Sequence, residues 1–263
     1  MNANINIAVA GKGGTGKTSV ASLVIRYLLK NNLGTILAVD ADPNSNLAES
    51  LGLEVRQTVG RILNEFQGEK LKIPAGMTKE AYLEYQLNVA LTESKGLDLV
   101  TMGRGEGPEC YCYPNVVIRK LIDDWSKNYD FVVMDNEAGL EHLSRRTTQN
   151  VDELLLVSNH SVKGLRAVAR VKELVKELKL NVKRESVIIN QVPIGEIDPL
   201  LSKEMERLGI TATAVIPVDE EMLEFDLEQK PLFDLPDTSG AVKAVNQLME
   251  ALLQHENIQA KGG

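Results

Sequence analysis

The chain has 263 residues, 43% hydrophobic and 25% charged, with 29 Lys and Arg against 37 Asp and Glu for a formal net charge of -8. That length buries a substantial core, and the acidic balance excludes a generally basic surface, so attraction to nucleic acid or anionic lipid would need a local patch. No stretch approaches the roughly 18 apolar residues of a spanning helix, the first residues run straight into a strand, and the only cysteines are Cys110 and Cys112. A cytoplasmic protein without a disulfide framework is expected.

In chain order, short apolar runs predict strands at Ile5–Ala10, Thr35–Val39, Leu97–Met102, Tyr129–Met134, Glu153–Ser158, Val187–Asn190 and Ala212–Ile216. Several are nearly continuous rather than alternating, as in parallel strands covered on both faces. Helical periods lie between them. Val20, Val24 and Leu28 share one face; Leu165, Val168, Val175 and Leu178 share another, interrupted by Lys172; Ala241, Val245, Leu248 and Leu252 form the last. This βα alternation predicts an α/β fold, a mostly parallel sheet flanked by helices on both faces, as one domain over 1–263. The stretch at about 53–96 breaks the rhythm with helical candidates at Thr58–Phe66 and Lys79–Leu91 and reads as an elaboration of that domain; residues 259–263 are expected to fray.

Gly11-Lys12-Gly13-Gly14-Thr15-Gly16-Lys17-Thr18 satisfies the GxxxxGK[ST] pattern between the first strand and the first helix. The glycines let backbone N–H groups converge on phosphate oxygens. Lys17 supplies charge to the β- and γ-phosphates, the helix start adds its positive end, and Thr18 offers a hydroxyl to Mg2+. Lys12 comes too early in the loop for the job of Lys17. Asp40 and Asp42 end the second predicted strand and Asp135 another. Carboxyl ends of parallel strands converge on the ligand crevice, so these carboxylates approach Mg2+ and water there, unless they only cap helices. Asp135 looks like the Walker B acid, followed by a γ-phosphate-sensing run from Asn136 to Gly139, and Asp42 looks like the residue that orients the attacking water.

Cys110-Tyr111-Cys112 sits in a Gly/Pro-rich flank that predicts a loop, before a helical candidate at Val116–Trp125. Two thiols supply half of a tetrahedral S4 site, and His142, His160 and His255 are remote in sequence. A two-fold dimer completes the count by bringing two such pairs together. A tight redox pair and two ordinary half-buried thiols are the alternatives.

The GKGGTGKT loop resembles the deviant Walker A loop of the ATPase class that includes nitrogenase iron protein and the bacterial division-site and chromosome-partition ATPases. That resemblance implies ATP and Mg2+ as ligands, a cross-subunit reach for Lys12 in an ATP-promoted homodimer, and positions near the adenine for Asn190, Pro217 and Asp219, although by themselves Asn190 and Asp219 also read as turn or cap residues. Gln191 and Val192 after Asn190 depart from the Asn-Lys pattern of many relatives. Adding Asp40-Ala41-Asp42-Pro43-Asn44-Ser45-Asn46-Leu47, the Cys pair and Asp135-Asn136-Glu137-Ala138-Gly139-Leu140-Glu141-His142-Leu143-Ser144-Arg145, the chain from Ile5 to about Leu253 resembles the CooC family of nickel-insertion ATPases. The implied activity is ATP hydrolysis coupled to delivery of one Ni2+ or Zn2+, shared by Cys110 and Cys112 of two subunits, to carbon monoxide dehydrogenase or acetyl-CoA synthase.

Two other classes compete: an iron–sulfur reductase or carrier like nitrogenase iron protein, and a surface-associating positioning or partition ATPase. Ser239–His255 lacks the strongly basic face that favours anionic lipid, so no membrane partner is expected. Lys163, Arg166, Arg170, Lys172, Lys176, Lys179, Lys183 and Arg184 form a basic-rich region interrupted by Glu173 and Glu177. It reads mostly as a solvated helix face, and no nucleic-acid partner is expected.

Overall fold

The computed structural model describes residues 4–67, 73–103, 123–136 and 150–261. Among these, eight strands form one sheet: β1 (Ile5–Gly11), β2 (Ile36–Asp40), β3 (Thr92–Ser94), β4 (Leu97–Thr101), β5 (Phe131–Asp135), β6 (Asn150–Asn159), β7 (Asn181–Val192) and β8 (Ala214–Pro217). Their order is β3-β4-β2-β5-β1-β6-β7-β8, parallel throughout except for the β3–β4 pair. The helices are α1 (Lys17–Lys30), α2 (Asn46–Ser50), α3 (Val59–Gln67), α4 (Lys79–Val89), α5 (Val162–Glu177), α6 (Pro199–Leu208), α7 (Glu220–Leu227) and α8 (Gly240–Lys261).

The near-continuous apolar strands follow from burial on both faces. Along β5, Val132 and Met134 face one side and Val133 the other, and all three are fully buried. Ile7, Val9, Ile36, Ala38 and Val133 pack with Val20, Val24 and Leu28 of α1, Leu47 of α2 and Val245 and Leu248 of α8. On the opposite face Ala8, Leu37, Val39 and Met134 share a core with Ile62 of α3, Leu83 and Leu87 of α4, Leu165 and Val168 of α5, and Leu201 of α6. The buried side chains of the 53–96 segment thus belong to the core under the main sheet.

All seven strand regions expected from apolar runs are strands. β6 and β7 extend beyond the apolar segments because their polar ends still pair, Asn150 opposite Asn181 and Glu153 opposite Arg184. Four elements were not anticipated, among them the short α2 over Asn46–Ser50. β3 is a short polar edge strand turned back through Lys95 and Gly96, with Gly96 at φ +76°. α6 starts at Pro199 with Asp198 as its cap, and α7 is capped by Asp219.

The α5 stripe differs from the expected one. Leu165, Val168, Val171 and Val175 are buried, Lys172 lies off that face with its Nζ 3.4 Å from Glu185 Oε2, and Leu178 follows the last helical turn at 43% exposure.

β1 has strands entered early in the chain on one side and late strands on the other, apart from β5 inserted beside it. The sheet therefore reverses its winding at β1, and the loop leaving β1 opens into the crevice where open α/β sheets take ligands.

Candidate functional site

The loop from Gly11 to Lys17 leaves β1 at that reversal and enters α1. Thr15 and Lys17 are buried, whereas Lys12, Gly13 and Gly14 are exposed. Thr15 Oγ1 donates to the Lys12 carbonyl at 2.8 Å, and Lys17 Nζ lies 3.5 Å from the same oxygen, so the lysine side chain folds back beneath the loop. Gly11 and Gly16 are required by space. A Cβ on Gly11 would lie 2.2 Å from the Val157 carbonyl oxygen of β6; one on Gly16, at φ +85°, would lie 2.2 Å from Asn190 Nδ2.

That amide, at the carboxyl end of β7, donates to the Thr15 carbonyl at 2.9 Å, and Asn190 Oδ1 accepts from the Gln191 N–H. Gly16→Ala combines left-handed strain with displacement of Asn190. It is expected to cost about 2–3 kcal/mol in urea unfolding and to weaken nucleotide binding. A variant with the parental urea midpoint would show that the loop absorbs the methyl group.

Asp40 and Asp135 are partners in register on β2 and β5, both at 0% exposure. Two carboxylates packed side by side away from water resist ionisation. Burial, then the Asp135 charge, raises Asp40 to about 7, against the backbone donors of Leu47 and Asp42. Burial raises Asp135 to about 6, against the Thr18 hydroxyl and the charge of Lys17. The Thr18 hydroxyl donates to Asp135 Oδ2 at 2.6 Å, while Asp135 Oδ1 is buried with no hydrogen-bond partner among the described residues. A buried carboxylate oxygen without a donor, next to a threonine hydroxyl, a lysine and a second carboxylate, fits a hard divalent cation, which takes oxygen ligands.

Asp40 has a second task. Its Oδ2 accepts from the Leu47 N–H at 3.0 Å and its Oδ1 from the Asp42 N–H at 3.1 Å, which folds the segment between them over the strand end. Within that segment Asp42 Oδ1 accepts from the Asn44 N–H at 2.8 Å, its carbonyl accepts from the Ser45 N–H, and Asp42 stays half-buried. Asn136, after Asp135, is buried and donates through Nδ2 to the Val9 carbonyl at 3.0 Å. Gly139, Cys110 and Cys112 lie outside the described residues.

Pro217 ends β8, and Asp219 follows with both carboxylate oxygens engaged. Oδ1 accepts from the Glu221 and Met222 N–H groups, while Oδ2 accepts from the Ser239 hydroxyl at 2.6 Å and the Ala241 N–H at 2.9 Å. Burial pushes this carboxyl up, but the four donors together hold it below its usual value. The Asn190–Thr15 bond had no signal in the sequence, since it joins positions 175 residues apart. Asp219 is the cap that its sequence alternative named, and the acidic Glu220 and Glu221 after it are the signal for the helix that was not anticipated.

A profile of the CobQ/CobB/MinD/ParA nucleotide binding domain matches residues 7–232. The chain belongs to that family. An uncharacterised ATP-binding protein of Methanocaldococcus jannaschii is 45% identical over 249 residues, 94% of this chain and 98% of the relative. The carbon monoxide dehydrogenase accessory protein CooC of Rhodospirillum rubrum is 27% identical over 185 residues, 66% of this chain and 70% of that protein. Among solved structures, a ParA family ATPase of Chlorobium tepidum superposes with a TM-score of 0.72 at 23% identity, covering 94% of this chain and 98% of that one. The shared fold is the α/β P-loop architecture, and the family and its relatives are ATP-binding ATPases. Among the described residues, no helix of this family member is long and apolar enough to cross a membrane.

Proposed function

We propose that this chain is a MgATP-dependent accessory ATPase whose nucleotide-bound copies pair, and that its cargo is one divalent nickel or zinc ion. The observation that carries the nucleotide half is the donor-free Asp135 oxygen beside the Thr18 hydroxyl at the mouth of the Gly11–Thr18 loop. Thr18 and Asp135 would hold Mg2+, which when bound neutralises charge on the β- and γ-phosphates. Backbone N–H groups of Gly13, Gly14, Thr15 and Gly16 bind phosphate oxygens, and Lys17 swings from the Lys12 carbonyl to the terminal phosphates. Asp42, held by Asp40, orients the attacking water. Lys12, exposed at the loop tip, reaches the nucleotide of a partner copy and supplies charge that is in place only in the dimer. Adenine contact falls to Asn190, Pro217 and Asp219, whose position at the carboxyl ends of β7 and β8 supports it.

The cargo half rests on the Cys110-Tyr111-Cys112 sequence and on the similarity to the CooC accessory protein. Four thiolates from two copies match the tetrahedral preference of Zn2+ and also accept Ni2+, and the client is a nickel enzyme such as carbon monoxide dehydrogenase or acetyl-CoA synthase. Elemental analysis across the monomer–dimer transition tests this reading. One Ni2+ or Zn2+ per two chains is expected in the MgATP dimer, with none after joint Cys110→Ser and Cys112→Ser substitution and with ATP affinity unchanged. One tightly held ion per isolated monomer would overturn the bridging site. Acid-labile sulfide and a brown chromophore in anaerobically prepared protein would point instead to an iron–sulfur carrier.

A further inference from the structure

Beside the exposed Lys12 lies a groove of about 530 Å3 between α5 and α6, edged by Lys163, Arg166 and Arg170 and floored by Ala169 and Leu208. The cations repeat at i, i+3 and i+7 along α5, so they form one row along the groove. Arg166 is tied to Glu204 of α6 at 2.9 Å, but Lys163 and Arg170 have no ion-pair partner among the described residues. Among the described residues Glu173 is the single acidic lining residue. The basic stretch that reads in sequence as a solvated face therefore borders a concave apolar surface next to the phosphate loop.

α7 carries the complementary pattern. None of its residues is buried, and Glu220, Leu223, Glu224 and Leu227 recur at i, i+3, i+4 and i+7, forming one outward stripe. Leu223 is 57% and Leu227 84% exposed, an unusual cost for a helix that lies against its own domain through the other side. Among the described residues neither Glu220 nor Glu224 has an ion-pair partner. Both stripes span seven residue steps, about 10 Å of helix at 1.5 Å per residue. One offers carboxylates alternating with leucines; the other offers cations above an alanine and a leucine.

We infer that the groove between α5 and α6 seats α7 of a second copy of this chain. The inference rests on the reading that nucleotide-bound copies pair through the face carrying Lys12. In a two-fold dimer the contact occurs twice, each copy giving one helix and one groove. Docking an amphipathic helix by apolar anchors with a charged rim is an ordinary recognition mode. Because α7 is capped by Asp219 beside the crevice and Lys12 lines the groove, the contact would join the partner's nucleotide end to this copy's phosphate loop.

The test uses two charge-reversed full-length chains. One carries Lys163→Glu and Arg170→Glu, and the other Glu220→Lys and Glu224→Lys. Each alone sets like charges across both contacts, so its MgATP-dependent dimerisation, read by sedimentation equilibrium, is expected to weaken by at least about tenfold. Mixing the two sets opposite charges at both contacts, and a heterodimer within about threefold of the parental affinity is expected. A structural defect would not be repaired by mixing. Reversed chains that dimerise as the parent does, or that stay apart when mixed, overturn the docking while leaving parental MgATP pairing intact. A parent that stays monomeric in MgATP at all concentrations overturns both the docking and the pairing on which it rests.

Discussion

Asp135→Asn is expected to make the ligand-free protein more stable at pH 8, by about 2 kcal/mol, while abolishing the stabilisation that MgATP gives the parent. Asp135 is fully buried, and burial is the main cause that raises its carboxyl to about 6. The native state therefore binds this proton more tightly than the unfolded chain does. The parent loses stability as pH rises from about 4 to about 6, the window between the unfolded and folded pKa values, and the penalty persists above it. The amide removes the charge, its oxygen still accepts from the Thr18 hydroxyl, and the loss of repulsion lets the neighbouring Asp40 ionise more readily. Urea unfolding at pH 5 and pH 8, with and without MgATP, checks both halves. The parent–variant gap should widen with pH in the absence of ligand and reverse in saturating MgATP. A variant less stable than the parent at pH 8 without ligand would show that the buried charge is already compensated.

Lys17→Ala is expected to weaken MgATP binding by at least about 100-fold, the scale of a lost charge-assisted contact to phosphate made by a buried lysine. Lys17 is 7% exposed with its ammonium held under the loop, so no neighbouring cation takes its place without rebuilding the turn. Lys12→Ala should behave differently. Its side chain is exposed, and within its own copy only its carbonyl serves the loop, through Thr15 and Lys17. Monomer affinity for ATP should stay within about threefold, and nucleotide-dependent pairing and turnover should fall by at least about tenfold. Equilibrium binding of a fluorescent ATP analogue, alongside sedimentation, separates the two. Equal loss of monomer binding in both variants would remove the cross-subunit role of Lys12.

Legibility differed between the strand ends and the surface. Gly11–Thr18, Asp40 and Asp135 were readable because phosphate chemistry constrains residue types at fixed spacing and because acids directly follow apolar runs. The groove was not readable. Its basic row looked like a solvated face, since one helix's sequence does not reveal that a second helix stands beside it with Leu208 facing the gap. Leu178, placed by periodicity on the buried face of α5, is exposed because the helix ends one residue earlier and the chain turns at Lys179 with φ +50°.

The sequence by itself determined the α/β alternation, the phosphate loop and the acids at the strand ends, because hydrophobic period and local motif act over a few residues. Only the tertiary structure decided which distant groups meet. It placed Asp40 opposite Asp135 in a dry register row, bonded Asn190 to the carbonyl of Thr15, and gave Asp219 the Ser239 and Ala241 donors. Those pairings depend on strand order and on burial, and burial raises the pKa values of Asp40 and Asp135 by removing the water that would stabilise their charge.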